Sequence, residues 1–433
     1  MMRRQDVRAE PIEQELVDRS KLRPFVTPRY DGLSLANLPV SVLKHFGVRT
    51  PGLRPLRDDL VENQLEGSDR VIVFLVDGLG YDLVVRESSR NPKSLFRRFA
   101  NAGTLFPATS TFPSTTTTAV TTVNTGLTPQ QHGIIGYTMY LREMGVVANM
   151  ISFSPAPDPR RDVLTIMGLD PRSLLPTDTI HEVLAKNGVR SQVLTRRIYK
   201  NTALSRLAHA GATITTYVNS SDLFVALRRQ IEDELTSPLY VFAYWDALDS
   251  IAHLYGPETE EVTAELASLC YSLKTQLLDK LGRSSARKTT LIITGDHGFA
   301  STPEEKIILA SNYRHFMDYL QLPPTGDSRA SIIHVKAGRL DEAKAYLSSK
   351  FAGRLTVIDS EAALQAGLFG YGRIHKELRS RIGDLIILPH DDHSFVYPYR
   401  RREEGFGLKG SHGGLSRGEM LIPILASRMG PMV

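Results

Sequence analysis

The sequence predicts an α/β protein with a central, mainly parallel sheet and helices on both faces. Three observations carry this expectation. First, the runs Val71-Ile-Val-Phe-Leu-Val, Leu239-Tyr-Val-Phe-Ala-Tyr-Trp and Thr289-Thr-Leu-Ile-Ile-Thr are continuously apolar or nearly so, without the in/out alternation of a half-exposed strand. That is the pattern of strands covered on both faces. Second, these runs alternate with longer stretches of helical character. Third, 433 residues with 42% hydrophobic and 23% charged content suffice for one large domain with an insertion, or for two domains.

Residues 1–65 are charged and punctuated by proline, with short apolar pieces such as Leu38-Pro-Val-Ser-Val-Leu; they read as an N-terminal arm packed on the main domain. The first strand, 71–76, ends in Asp77-Gly-Leu-Gly. A carboxylate there lies where open α/β sheets place their ligands, although an N-cap before the next helix is an equal alternative. A helical stretch runs through Leu95-Phe-Arg-Arg-Phe-Ala. Residues 108–137 then pack hydroxyls round Phe112-Pro113 and continue as a helix of small residues that stops at Gly126. Threonine is a poor helix former, so the run suggests a helix N-terminus that holds an anion and presents an alcohol.

Next come a helix at 180–187 with a glycine stop at Gly188, strands at 191–195 and 212–218, and a helix over 222–235. The strand at 239–245 leads into Asp246, Asp249 and His253, followed by a helix over 258–281. The strand at 289–294 ends in Asp296-His297. Residues 303–383 form a small α/β unit, with strands at 331–335 and 355–358 and a helix at 340–349. The strand at 384–389, a loop holding Gly-Ser-His412-Gly-Gly and a last strand at 421–426 complete the chain.

Composition narrows the function. A net charge of +5 is small for this length. Its densest basic run, Tyr399-Arg400-Arg401-Arg402, meets Glu403-Glu404 at once, so it reads as a solvated loop and not as a nucleic-acid patch. The single cysteine, Cys270, rules out an internal disulfide framework and thiolate zinc sites. No apolar segment follows the basic N-terminus, and no run approaches the ~20 apolar residues of a membrane span. The expectation is a cytoplasmic protein without membrane association or sequence-specific nucleic-acid binding.

Three strands thus end in acid or acid/histidine clusters, and His412 adds a fourth, glycine-flanked imidazole. Each has a plain alternative: a helix-surface pair for Asp249 and His253, a turn cap for Asp296, a satisfied loop histidine for His297. Together they match the ligands of zinc or manganese, and six such groups divide into two sites of three. Two ions a few Å apart clamp the attacking and leaving oxygens of phosphoryl transfer.

The order Asp-Gly, Thr-Phe-Pro at a helix start, Asp-x-x-x-His before Gly-Pro, Asp-His-Gly and a late Gly-Ser-His-Gly resembles the alkaline phosphatase superfamily, within it the type I phosphodiesterase/nucleotide pyrophosphatase family. The resemblance covers roughly residues 70–300 and 380–430. It implies an alkaline-phosphatase-like core of residues 66–302 and 384–433, with 303–383 as an inserted cap. It further implies a phosphoric-ester hydrolase in which Thr111 is the nucleophile and passes through a covalent phosphothreonine. One metal would be held by Asp249, His253 and His412, the other by Asp77, Asp296, His297 and the Thr111 oxygen. The cofactors implied are two divalent ions, zinc first, with manganese or iron as alternatives. The substrate implied is a small phosphorylated molecule such as a nucleotide or phosphodiester.

Where better-known pyrophosphatases of this kind place Asn-His after Phe-Pro, this chain has Ser114-Thr115, which makes Ser114 the substrate-binding candidate. A phosphomonoesterase, phosphonate hydrolase or phosphomutase of the same superfamily is the alternative reading, and a non-catalytic metal-stabilised binding protein the alternative of another class. Tyr137, Tyr140, Tyr199 and Phe299 are candidates to stack on a nucleobase or to pack the walls.

Overall fold

The structure, a computed structural model, describes residues 6–49, 52–233, 238–400 and 407–433. The predicted helix end at Leu235 and the run 401–405 lie outside the described residues. The main sheet has seven strands: β1 (Arg70–Val76), β2 (Thr104–Thr109), β3 (Arg190–Arg196), β4 (Thr213–Tyr217), β5 (Leu239–Trp245), β6 (Thr289–Thr294) and β7 (Leu421–Arg428). Their spatial order is β2-β7-β6-β1-β5-β3-β4. The run from β6 to β4 is parallel, and β7 is antiparallel to both its neighbours, β6 and β2.

The unbroken apolar runs have the predicted cause. On β1, Val71, Val73 and Leu75 enter one hydrophobic core while Ile72, Phe74 and Val76 enter the other. Side chains that alternate across a strand feed both faces only if both are covered. The threonine helix, Thr116–Thr125, closes one face; the helices Ser220–Glu232 and Glu260–Ser272 close the other. The helix expected over 258–281 starts at Glu260 and changes at Leu273–Leu278 into a π-helix. The arm lies along β2: Leu33 and Leu35 exchange backbone hydrogen bonds with Thr109, which covers an otherwise open strand edge.

A second, entirely antiparallel sheet was only partly foreseen. Its order is Leu355–Asp359, Leu385–Pro389, Ala330–Ile333, Thr325–Asp327, Thr138–Leu141, Val146–Asn149 and Ser154–Pro155. Strands from 138–155 and from 325–389 therefore share one sheet, which faces the C-terminal edge of the main sheet. β2 and the strands of 138–155 were not read from sequence because they are short and mix polar with apolar residues.

Candidate active site

Parallel neighbours end side by side, and β6, β1 and β5 are adjacent. Asp77 immediately follows β1, Asp296 lies two residues beyond β6, and Asp249 and His253 sit one turn apart on the helix Ala247–Tyr255 that follows β5. The loop before β7 adds His412. The six side chains fall into two groups, Asp77 with Asp296 and His297, and Asp249 with His253 and His412, each with its ligand-capable atoms within 4.8 Å of one another. The rings of His297 and His412 stack at 3.6 Å, which places the groups against each other.

All three histidines are oriented alike. Nδ1 lies 2.8 Å from the Gly410 carbonyl in His253, 3.0 Å from that of Gly298 in His297 and 3.0 Å from that of Ser114 in His412. A carbonyl can only accept, so each Nδ1 carries a proton and Nε2 is the ring nitrogen left to face the carboxylates and, once deprotonated, to bind a metal. Nε2 of His297 stands 3.4 Å from both Asp77 and Asp296, and Nε2 of His253 stands 3.4 Å from Asp249. Such backbone anchoring of the distal ring nitrogen is what metal-binding histidines use.

Asp296 Oδ1 accepts the N–H groups of Gly78 and His297, both at 3.0 Å, and Tyr244 of β5 donates its hydroxyl to Asp77. Asp249 Oδ1 and Asp296 Oδ2, by contrast, are buried without any hydrogen-bond partner. Buried carboxylate oxygens left in that state are costly unless a cation satisfies them, so the residues fit divalent metal ions.

The electrostatics show the same deficit. Burial, with Asp77 alongside, pushes the Asp249 carboxyl well above its ordinary range and that of Asp296 up to about 7. Burial also acts against ionisation of Asp77, but hydrogen bonds from His297 and Tyr244 outweigh it and hold that carboxyl low. Burial lowers the pKa of His253 and His412, the latter further because His297 is close. At His297 burial is overcome by Asp296 and Asp77, which raise it to about 10.

The hydroxyl beside the cluster belongs to Thr116, not to Thr111. Thr116 Oγ1 lies 3.4 Å from Asp77 Oδ1 and 3.4 Å from His297 Nε2. It occupies the first turn of the helix Thr116–Thr125, behind the N-cap Thr115, where backbone amides have no intrahelical acceptor. Thr111 is fully buried and donates to the Pro113 carbonyl at 3.2 Å. The Phe-Pro turn is an anchor: Phe112 packs on Phe369 and its N–H donates to Tyr30, and three more residues carry the chain from Pro113 to Thr116. The other hydroxyls of the run hold the turn and helix together. Ser110 donates to the Asp296 carbonyl, Thr117 to that of Gly136 at 2.8 Å, and Thr121 and Thr125 each to the carbonyl four residues earlier.

Ser114 is likewise turned away. Its Oγ donates to the Gly414 carbonyl at 2.8 Å and its N–H to Gly413, so it ties the turn to the His412 loop without reaching the open site.

A cavity of about 480 Å³ opens over the cluster, between the main-sheet edge and the second sheet. Asp77, Thr116, Asp249, His253 and His412 line one side; Tyr137, Asp327 and Tyr397 are on its walls. Tyr137 and Tyr199 line it, as a stacking role requires, whereas Phe299 packs edge-on against the rings of His253, His297 and His412 and Tyr140 packs against His334. A smaller apolar recess of about 80 Å³ meets the cavity at Thr116, Tyr199 and Tyr244. No helix among the described residues is long and apolar enough to cross a membrane.

A family model described as type I phosphodiesterase/nucleotide pyrophosphatase matches residues 71–415. An uncharacterised pyrophosphatase/phosphodiesterase of Schizosaccharomyces pombe is 24% identical over 257 residues, covering 56% of this chain and 47% of that protein; the match thus spans about half of the relative's length. Among solved structures, murine ectonucleotide pyrophosphatase/phosphodiesterase 5, in an inactive form with a threonine changed to alanine and in complex with AMP, superposes with a TM-score of 0.61 at 18% identity, over 82% of this chain and 87% of that one. Phosphonoacetate hydrolase from Sinorhizobium meliloti, in complex with phosphonoformate, gives a TM-score of 0.57 at 18% identity, over 82% and 89%. These likenesses establish the fold.

Proposed function

The chain belongs to the type I phosphodiesterase/nucleotide pyrophosphatase family, a metal-dependent family of phosphoric-ester hydrolases, and on that premise we propose that Thr116 is the nucleophile of a two-metal site built from Asp77, Asp296 and His297 on one side and Asp249, His253 and His412 on the other. One observation carries the reading. Three histidines with Nδ1 held by backbone carbonyls turn Nε2 toward carboxylates, and among the described residues the aliphatic hydroxyl that contacts both Asp77 and His297 is that of Thr116 at a helix N-terminus. Divalent ions held there, zinc first and manganese or iron as alternatives, would supply Lewis acidity to a phosphoryl oxygen and lower the pKa of a nearby alcohol or water.

The chain's own residues do the rest. Thr116 Oγ1 forms the bond to phosphorus while the bond to the leaving alcohol breaks, which yields a phosphothreonine; water then cleaves it and restores the hydroxyl. The amides of the first helical turn face the non-bridging oxygens. Tyr244 and the Gly78 amide hold Asp77 and Asp296 in place. In this reading residues 66–302 and 384–433 form the catalytic core behind the 1–65 arm, and 303–383 form the cap, whose sheet takes further strands from 138–155 and from Leu385–Pro389. The substrate is a small phosphodiester or nucleotide-like molecule. The AMP complex of the murine relative and its inactive threonine variant support both points.

The test is turnover of bis-p-nitrophenyl phosphate, p-nitrophenyl phosphate and a nucleoside triphosphate by metal-free protein and after addition of zinc or manganese. Metal-dependent release from at least one is expected. Absence of release from all three would overturn the hydrolase mechanism.

A further inference from the structure

The walls of the large cavity carry a charge pattern that the mechanism does not use. Neither lysine nor arginine is among the described residues lining it, whereas Asp246 and Asp327 are. Asp246 is balanced: Arg196 reaches its two oxygens at 3.2 and 3.3 Å and Tyr199 donates at 2.6 Å. Asp327 is not. Its Oδ2 accepts the Tyr137 N–H at 3.2 Å and the Thr115 side chain hydrogen-bonds to it, and no lysine or arginine pairs with it among the described residues.

Asp327 is also seated. A Cβ on Gly413 would stand 2.5 Å from Asp327 Cβ, and one on Gly136 3.1 Å from its Oδ2. The wall thus closes on the carboxylate and leaves it no room to turn away. Thr115, its partner, is the N-cap residue directly before Thr116, so Asp327 sets a carboxyl group at the helix N-terminus where a phosphoryl group must sit to meet Thr116; burial pushes that carboxyl up to about 7, and above that pH it carries a negative charge.

We infer that Asp327 is a specificity-determining residue that disfavours phosphates with two negative charges. Singly charged phosphodiesters with uncharged or cationic alcohol groups are then preferred over monoesters and over polyphosphates. The inference rests on the assignment of Thr116 and the two metal groups above. Its physical basis is like-charge repulsion in a partly desolvated site, which exceeds that in water, with no basic side chain among the described residues of the cavity wall to offset a second charge.

The experiment compares wild type with Asp327→Asn, which keeps the shape and an acceptor for the Tyr137 N–H but removes the charge. The kcat/KM values for bis-p-nitrophenyl phosphate and p-nitrophenyl phosphate are measured in the metal-loaded full chain at about pH 8, where a monoester carries both charges. In parallel, the affinity for inorganic phosphate is measured by calorimetry. The variant is expected to gain about tenfold or more on the monoester and in phosphate affinity, and to change less than about threefold on the diester. An unchanged diester-to-monoester ratio with unchanged phosphate affinity, at wild-type metal content, overturns the inference. If wild type turns over neither ester, the hydrolase reading fails separately, and the phosphate affinities alone decide the role of Asp327. Should Asp327→Asn be destabilised, Asp327→Ser removes the same charge from a smaller side chain and must give the same shift.

Discussion

Thr116 Oγ1 and Asp77 Oδ1 face each other at 3.4 Å, one from the first turn of a helix and the other from the end of the central parallel strand. The contact joins the two local devices of the site, a helix N-terminus and a strand-end carboxylate, and it depends on sequence positions 39 residues apart. It also separates Thr116 from every other hydroxyl of the threonine run, since those bond to backbone carbonyls or to residues outside the cluster.

Thr116→Ala is therefore expected to lower kcat by about a thousandfold or more while two metal equivalents remain bound by elemental analysis. Thr111→Ala loses one bond to the Pro113 carbonyl and should cost about 1 kcal/mol of stability with turnover retained. Loss of turnover in Thr111→Ala with full metal content would return the nucleophile to that position.

Much of this site was legible in the sequence, for a physical reason. Strands buried on both faces are written as unbroken apolar runs, so Asp77, Asp249 and the Asp296-His297 pair stand out where such runs stop. The choice among hydroxyls was not legible. Ser114, Thr115, Thr116, Thr117 and Thr118 can each cap a helix, and which one falls on the first turn is decided by how Phe112 docks on Phe369 and Tyr30. A signal was present in the Gly126 stop: a helix of ten residues ending there begins at Thr116. Asp327 gave no signal, because an acid at the end of a short Thr-Gly-Asp segment looks like any other until Gly136 and Gly413 close round it.

The tyrosine behind Asp77 offers a graded test of metal binding. Tyr244→Phe removes the hydroxyl donated to Asp77 and leaves the ring in place. Outer hydrogen bonds of this kind typically affect metal affinity by about 10–100-fold. Competition with a chelator should show that weakening at the site of Asp77, Asp296 and His297 and leave the other site near its wild-type value. Equal weakening at both sites would count against the division into two groups of three.

Metal should also stabilise the fold. Asp249 Oδ1 and Asp296 Oδ2 are buried without hydrogen-bond partners, so a cation that satisfies them binds the folded chain and not the unfolded one. Free metal at about a thousand times its Kd would add about 4 kcal/mol. Thermal unfolding of chelated protein should shift upward as zinc or manganese is added. In His412→Ala the stoichiometry should fall from two equivalents to one. An unchanged Tm across the titration would argue against preformed metal sites.

The last prediction concerns acid. His209 is buried among apolar groups, neither ring nitrogen has a hydrogen-bond partner, and burial pushes its pKa down to about 4. His132 is pushed down to about 3 by burial, with His375 and Arg381 adding to the effect. A histidine whose folded pKa lies below its unfolded value of about 6.5 binds more protons when unfolded, so stability is full above about pH 6.5 and declines toward pH 4. Each such residue steepens that decline by about 1.4 kcal/mol per pH unit. Denaturant titrations of the metal-free protein should show the loss, and His209→Leu should reduce it. The variant is expected to gain about 1–2 kcal/mol on wild type at pH 5 relative to the difference at pH 8. Parallel pH profiles for the two proteins would show that His209 is not held neutral by the fold.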